Sequence, residues 1–550
     1  MRRRRAALVL VALWALVVAG GLFSRPAWPI DETRYLSVAW EMWQRGDLLV
    51  PHLNGLPYSD KPPLLFWLMQ AGWHVFGVNQ WWPRLVPSLF ALASLFLCAR
   101  LARQLWPERE DVAEVAPFVL LGSLFWSFFS TVLLFDMLLV FFALAAISGI
   151  VHALRGQGLA GWLLVTLGIG LGILAKGPAI LIPVLPVALL APWWSGGSVR
   201  PWRWYPVLVA SLAGGIGLGL AWAIPAAIAG GRDYADAILW SQTAGRVTHA
   251  FAHRRPFWWY VPFVPLLAFP WVLWLPLWRG LRRGESLSRD PGVRLCAAWA
   301  GIGFLLFSFV SGKQIHYLLP LFPPLALVAS RAGLSRSASP KRGDSFWIAG
   351  AFMSFALLLA FAPSLSERLS LPSWTSGLSR AAAMVVAASG LVLTWRPPAS
   401  GRTFLERVTV CSVAAIVMIQ WSVARAAAPN YDVESIGRYL NGLQREGHPL
   451  AHVGKYFGEY QFAGRLERPI EIIDSGSVSR WFARHPDGYV IAYSRRSLTE
   501  EPHVDFRQGF RGGVVTVRRR FPARSRKSPV TAGASEEQSR DRSRSDEAGS

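Results

Sequence analysis

Four ionisable side chains sit where an apolar chain tolerates them least. Asp31 stands in "PIDETRYLSVAWEMWQRGD", Lys61 in "LPYSDKPPLLFW", Asp136 in "STVLLFDMLLVFF" and Lys176 in "LAKGPAILIP". Ionisable residues in or beside apolar segments are costly and usually functional. A carboxylate so placed can orient or deprotonate a hydroxyl, and a lysine fixed beside a helix start can hold an anion, most naturally a phosphate. Lys61 has the backbone for this. Pro62 pushes it toward an extended conformation, and proline is well tolerated at the first helical position, so "KPPLLFWLMQAGW" reads as an extended lysine followed by a helix starting near Pro63. Each residue also has a plainer reading: a helix cap for Asp31 and Asp136, and a snorkelling interfacial anchor for Lys61.

More cations follow on later loops. "SGKQIHYLLPLFPPLAL" carries Lys313, His316 and Tyr317, and "WSQTAGRVTHAFAHRRPFWWY" carries Arg246, His249, His253, Arg254 and Arg255. An anionic ligand on one face of a membrane would explain them together; singly, each reads as an interfacial anchor. His249 and His253 are spaced as metal ligands on a helix, but no third ligand is evident. Cys98, Cys296 and Cys411 lie far apart inside apolar blocks and form neither a metal motif nor a disulfide framework.

The elements that must position these residues are membrane helices. The chain has 550 residues, 53% hydrophobic and only 16% charged, against about 25% charged in soluble proteins. Its apolar residues fall in blocks of about twenty, the length that spans a bilayer. The net charge of +23 would suggest nucleic acid in a soluble protein. Here the arginines punctuate apolar blocks, where they set orientation, and no nucleic-acid partner is expected.

Roughly thirteen spans are predicted, near 6–24, 84–105, 113–134, 136–154, 160–175, 178–194, 204–230, 257–279, 294–311, 317–333, 345–363, 378–395 and 408–428. The first is read as an uncleaved helix rather than a signal peptide. Arginines at the N-terminus and on alternate loops (Arg100, Arg103, Arg109; Arg200, Arg203; Arg279, Arg282, Arg283, Arg289; Arg331, Arg336, Lys341, Arg342; Arg396, Arg402) place the N-terminus in the cytoplasm and, with an odd number of spans, the C-terminus outside.

Three regions result: a transmembrane domain over 1–429, a soluble α/β domain over 430–521, and a disordered tail over 522–550 that is too polar to bury a core. In the first outer loop, Tyr35, Ala39, Met42 and Trp43 share one helical face with polar residues opposite, which predicts an amphipathic helix lying along the membrane surface.

The block "DETRYLSVAWEMWQRGDLLVPHLNGLPYSDKPPLLFWL…FGVNQWWPRL" resembles the opening of bacterial membrane glycosyltransferases of the aminoarabinose transferase and protein mannosyltransferase kind, which have the GT-C architecture. The likeness continues through "FDMLLVFF", "LAKGP", "QTAGRV…HRRPFWWY" and "KQIHYLLPLFPPLAL" and covers most of the first 330 residues. It implies an enzyme of the bacterial inner membrane that takes a sugar from a polyprenyl-phosphate donor to an envelope acceptor (a lipid A-type glycolipid, another glycan or a protein) at the periplasmic face, with inversion. It implies catalytic roles for Asp31 and Asp136. Lys61, Arg246 and Tyr317 would contact the donor phosphate, with Glu32, Asp60, Lys176 and Lys313 in support.

The aminoarabinose branch has glutamate before the motif lysine and histidine five residues before the loop arginine; this chain has Asp60 and Ser241 there. No metal site is therefore expected on that pair, and no other cofactor is implied. Two other function classes are open: a transporter or flippase that binds lipid-linked sugars through the same outer cations, and a structural or assembly subunit of envelope biogenesis that binds through its C-terminal domain. The first would be expected to show repeated halves, and none is evident.

Overall fold

The computed structural model describes residues 2–156, 158–240, 255–283, 287–395, 400–494 and 504–519. The expectations on Ser241, Arg246, His249, His253 and Arg254, and on the tail over 522–550, lie outside the described residues. Among the described residues, eight helices are long and apolar enough to cross a membrane: Arg3–Ser24, Trp81–Leu105, Asp136–Leu154, Gly158–Leu189, Pro201–Gly230, Pro291–Phe309, Gly343–Leu365 and Gly401–Arg445.

The other expected spans coincide with shorter or interrupted stretches. Residues 113–134 break at the extended Ser123 into Glu110–Gly122 and Leu124–Phe129. Residues 257–279 form short helical pieces, with Pro262 and Pro265 within the first two and Pro270 just before the third, and each proline lacks the backbone N–H that a continuous helix needs. The long element after Gly158 is likewise two pieces, because Gly177 at φ +65° turns the chain between Gly158–Lys176 and Leu181–Leu189.

The helices that matter most here are α1 (Arg2–Ser24), α2 (Asp31–Arg45), α3 (Leu64–Phe76), α4 (Trp81–Leu105) and, later in the chain, α5 (Asp136–Leu154) and α6 (Gly158–Lys176). α5 and α6 form an antiparallel hairpin whose backbones nearly touch. A Cβ on Gly161 would lie 2.5 Å from the Ala153 nitrogen, and one on Gly149 would lie 2.7 Å from the Gly161 carbonyl. Small residues of this kind let membrane helices pack without a hydrophobic driving force. The close fit fixes the start of α5 beside the end of α6, so Asp136 and Lys176 share one end of the bundle.

The opposite end is a belt of arginine pairs joining loops remote in sequence. Arg3 meets Glu110 at 2.9 Å, Arg331 meets Asp290 at 3.2 Å, Arg279 pairs with Asp344 and Arg402 with Glu114. Arg109 donates to the Leu334 carbonyl at 3.0 Å. The N-terminus and the loops of Arg109, Arg279, Arg331 and Arg402 thus meet physically, and the bundle has two chemically distinct ends.

At the end that holds Asp136, a hairpin of β1 (His52–Leu53) and β2 (Leu56–Pro57) follows α2, with Asn54 and Gly55 at φ 54° and 83° in the turn, the residue pair such tight turns favour. Beyond the last long helix, strands β3 (Leu450–Val453), β4 (Glu471–Ile473), β5 (Tyr489–Ser494), β6 (Phe506–Phe510) and β7 (Gly513–Arg518) form a mixed sheet in the order β4-β3-β5-β7-β6. Its parallel pairs, β3 with β4 and with β5, are joined through helical crossovers, and its last strands form an antiparallel hairpin.

This sheet domain sits on α2. Ser37 donates to the Gly458 carbonyl at 2.6 Å and accepts from the Phe462 amide at 3.2 Å, and the Trp40 indole donates to the Leu466 carbonyl at 3.0 Å. The expected apolar face of α2 is buried, with Tyr35, Ala39 and Met42 at most 3% exposed. The polar stripe opposite is buried too: Ser37 is 0% and Glu41 7% exposed. The helix is therefore clamped between bundle and sheet domain along its middle, with Asp31 accessible at one end and Gln44 and Arg45 exposed at the other.

Candidate functional site

A knot of aromatic rings joins the three elements that carry Asp31, Lys61 and Asp136. Tyr35 of α2 packs edge-on to Phe135 at 5.0 Å, Phe135 to Phe66 of α3 at 5.5 Å, and Phe66 to Tyr58 at 6.3 Å. Asp31 lies one helical turn before Tyr35, Asp60 and Lys61 lie between Tyr58 and Phe66, and Asp136 follows Phe135. Edge-to-face packing is directional, so the rings set the mutual placement of these groups.

Glu32 fixes the same junction by charge. Its carboxylate forms a bidentate pair with Arg25 and accepts from the Trp28 and Leu133 amides, both at 2.7 Å. Arg84 of α4 donates to the Gly21 and Arg25 carbonyls at 2.7 and 3.0 Å. Burial pushes the Glu32 pKa up, but Arg25, Arg84 and the Leu133 amide outweigh it and hold the group below its ordinary value. Its lone pairs are spent on the protein, so Glu32 is the strut that locks α2 to the segment leading into α5.

On this frame the ionisable residues converge. Asp136, 2% exposed, receives the Lys176 ammonium at 2.5 Å and lies 3.9 Å from His316 Nε2. The same ammonium sits 4.5 Å over the Tyr317 ring, and the His316 ring meets Tyr317 edge-on at 4.9 Å. His316 is pushed down to about 4 by burial, with Lys176 and Lys61 acting in the same sense against Asp136 and Asp31. Asp31, Lys61, Asp136 and Lys176 thus all act on one imidazole, from four separate stretches of sequence.

Asp31 differs from Asp136 in access. Its side chain is 42% exposed, against 3% for Asp136, and it pairs with Arg34 one turn along α2. Lys61 stands before Pro62 and Pro63, α3 begins at Leu64, and the Lys61 Nζ is 3.4 Å from the Asp60 carbonyl. The cap readings are not realised. Asp31 and Asp136 are each the first residue of a helix whose N-cap position is Ile30 or Phe135, and neither makes a side-chain cap bond.

Two further expected residues fall apart from this cluster. Lys313 donates to the Val310 and Arg255 carbonyls at 2.6 and 3.0 Å, turned toward the chain before it. Arg246 lies outside the described residues. One residue that sequence reasoning passed over belongs in the cluster: Arg34, whose pKa burial would lower but which Tyr58, Tyr35, Asp31 and Asp60 hold above the ordinary range. The available signal was its spacing of three from Asp31, which places both on one helical face. Among the described residues, no group of three His, Cys, Asp or Glu side chains converges where a metal ion could sit.

Residues 60–216 match the family model described as dolichyl-phosphate-mannose-protein mannosyltransferase. Over 436 residues the chain is 28% identical to the undecaprenyl phosphate-alpha-4-amino-4-deoxy-L-arabinose arabinosyl transferase 2 of Pseudomonas fluorescens, covering 74% of this chain and 75% of that one. Over 544 residues it is 29% identical to the corresponding transferase of Pseudomonas paraeruginosa, covering 92% and 91%. The fold is similar to the apo crystal structure of ArnT from Cupriavidus metallidurans, with a TM-score of 0.72 at 19% identity over 93% of this chain and 97% of that one. It is similar also to the structure of the same protein bound to undecaprenyl phosphate, with a TM-score of 0.70 at 17% identity over 95% and 99%.

Proposed function

This chain is a multi-pass membrane glycosyltransferase of the GT-C kind, resembling the aminoarabinose and protein mannosyl transferases, and from that premise we propose how it moves a sugar from a polyprenyl phosphate to an envelope acceptor. The donor would be a sugar on undecaprenyl phosphate or a close relative, as in the names of the similar transferases. The acceptor hydroxyl, or phosphate oxygen, attacks the anomeric carbon opposite the lipid phosphate. The new C–O bond forms as the bond to the phosphate oxygen breaks, its electron pair leaves on the polyprenyl phosphate, and the configuration inverts. A hydroxyl proton passes to Asp31; an acceptor already ionised would be positioned by the same carboxylate.

Asp31 suits this role because it is the accessible carboxylate of the pair, while Asp136 is committed to Lys176. Removing a positioned general base costs about 10²–10⁴-fold in rate. The leaving phosphate needs cations aimed where charge develops. Lys61 and Lys176 supply them, with Tyr317 packed under the Lys176 ammonium. The carboxylates of Asp31, Asp60 and Asp136 balance the cations of Arg34, Lys61 and Lys176, so a bound phosphate calls for one more cation. Arg246, which precedes Arg255 in the sequence, is the residue proposed to bring it.

The arginine-rich end would face the cytoplasm and the catalytic end, with the sheet domain over 430–521, the periplasm. The observation that carries the reading is the convergence of an accessible aspartate, a buried aspartate–lysine pair and a proline-held lysine at one end of the bundle. Mass spectrometry of envelope glycolipids from the native host with and without the gene tests it. A glycolipid losing one sugar mass on deletion supports sugar transfer; an unchanged profile, with lipid-linked sugar still flipped by reconstituted protein, would favour the transporter.

A further inference from the structure

A second cationic recess lies on the chain between Arg255 and Lys313, apart from the Asp31 and Asp136 cluster. It is open, about 480 Å³, and lined by Arg255, Pro256, Phe257, Ser308, Phe309, Ser311 and Lys313, with no carboxylate among them. Lys313 is only 3% exposed. Two of the three N–H groups of its ammonium are taken by the Val310 and Arg255 carbonyls, and no protein anion meets it among the described residues. The Arg255 backbone is held by the Ser311 carbonyl at 3.1 Å, and its guanidinium lies 5.8 Å from the Trp259 ring centre, again without a carboxylate among the described residues.

Two cations sharing a recess without an anion repel each other, and a lysine this buried is costly unless an anion joins it. The apolar walls say what kind of anion fits. Phe257 and Phe309 flank the recess and are 66% and 72% exposed, and Phe309 ends a helix apolar enough to cross the membrane. Apolar rings around a cationic floor at a helix end match a molecule with chains beside an anionic head. A guanidinium offers phosphate a bidentate fork, and an ammonium adds a point charge.

We propose that this recess seats the phosphate of an anionic phospholipid from the surrounding leaflet, as a site separate from the one that takes the sugar donor. The chemistry it recognises is a phosphate that carries no cation of its own, which an anionic phospholipid or free inorganic phosphate could supply, and the flanking phenylalanines favour the lipid. The occupancy does not depend on sugar transfer, so loss of activity would not imitate its loss.

Native mass spectrometry of the full chain, titrated with phosphatidylglycerol or phosphatidylcholine, tests the assignment. Arg255→Gln is the main variant because Arg255 is exposed and its side chain packs no core; Lys313→Met is the second. The expected result is that wild type retains one more phosphatidylglycerol than either variant, with about tenfold tighter affinity, the scale of one charge-assisted hydrogen bond. Phosphatidylcholine binding would be equal in all, and inorganic phosphate would not displace the extra lipid. Equal phosphatidylglycerol retention by wild type and Arg255→Gln would overturn the proposal. So would filling of the recess by inorganic phosphate alone, which would remove the lipid from the assignment.

Discussion

Lys176 crosses from the end of α6 to Asp136 at the start of α5, with 2.5 Å between the ammonium and the carboxylate. The contact exists because the glycines of that hairpin bring the two helices together. It divides the labour between two aspartates that look alike in sequence: Asp136 holds a lysine in place, and Asp31 is left accessible.

A double-mutant cycle tests that division. Asp136→Asn leaves the partly buried Lys176 ammonium without its counterion and should destabilise the protein by up to about 3 kcal/mol. Lys176→Met should do similarly by stranding the carboxylate. The double variant should recover much of the loss, because each single change strands the other charge, yet it should still transfer little sugar. Strictly additive losses in thermal unfolding would show that the two groups do not interact.

The clamp on α2 makes a second prediction. The Asn54 side chain accepts from the Ile470 amide and donates to the Ile470 carbonyl, each at 2.8 Å, and accepts from Gln461 at 2.7 Å. Glu41 meanwhile caps the Asn54 and Gly55 amides of the same turn. Asn54→Ala should cost about 1–3 kcal/mol, the penalty of stranded buried hydrogen-bonding groups, and should lower donor affinity because the hairpin leads directly into Lys61. Undecaprenyl phosphate affinity unchanged from wild type would separate the sheet domain from the proposed phosphate contact at Lys61.

His316 sets a pH window. Its value is lowered from 6.5 to about 4. Between these values the unfolded chain takes up a proton that the folded chain refuses, so this group's contribution to stability is present above 6.5 and falls as pH drops toward 4. His316→Asn should flatten the decline in melting temperature across that window. The same slope in variant and wild type would assign the acid sensitivity elsewhere.

The sequence revealed the candidate site residues better than their partners. Asp31, Lys61, Asp136 and Lys176 were legible because a charge in an apolar setting is conspicuous one residue at a time. Their pairing was not, since Lys176 finds Asp136 forty residues away through glycine packing that leaves no charge pattern. Arg34 was hidden in the polar stripe of α2, and Ser37 and Glu41 read as solvent-facing for the same reason. A periodicity argument sees that a face is polar; it cannot see that a domain more than four hundred residues later will cover it with hydrogen bonds. The broken helices between Phe257 and Arg283 were averaged into one span by hydropathy, although Pro262, Pro265 and Pro270 carried the warning.

The most direct test of the account is the Asp31→Asn variant in a host lacking the chromosomal gene. Asp31 is exposed enough that the change should cost less than about 0.5 kcal/mol in stability, and the purified variant should bind undecaprenyl phosphate as wild type does. Glycolipid mass spectrometry should then show the sugar restored by wild type and reduced at least about a hundredfold with Asp31→Asn at equal membrane abundance. Full restoration by Asp31→Asn would contradict the assignment of this aspartate as the group that activates the acceptor.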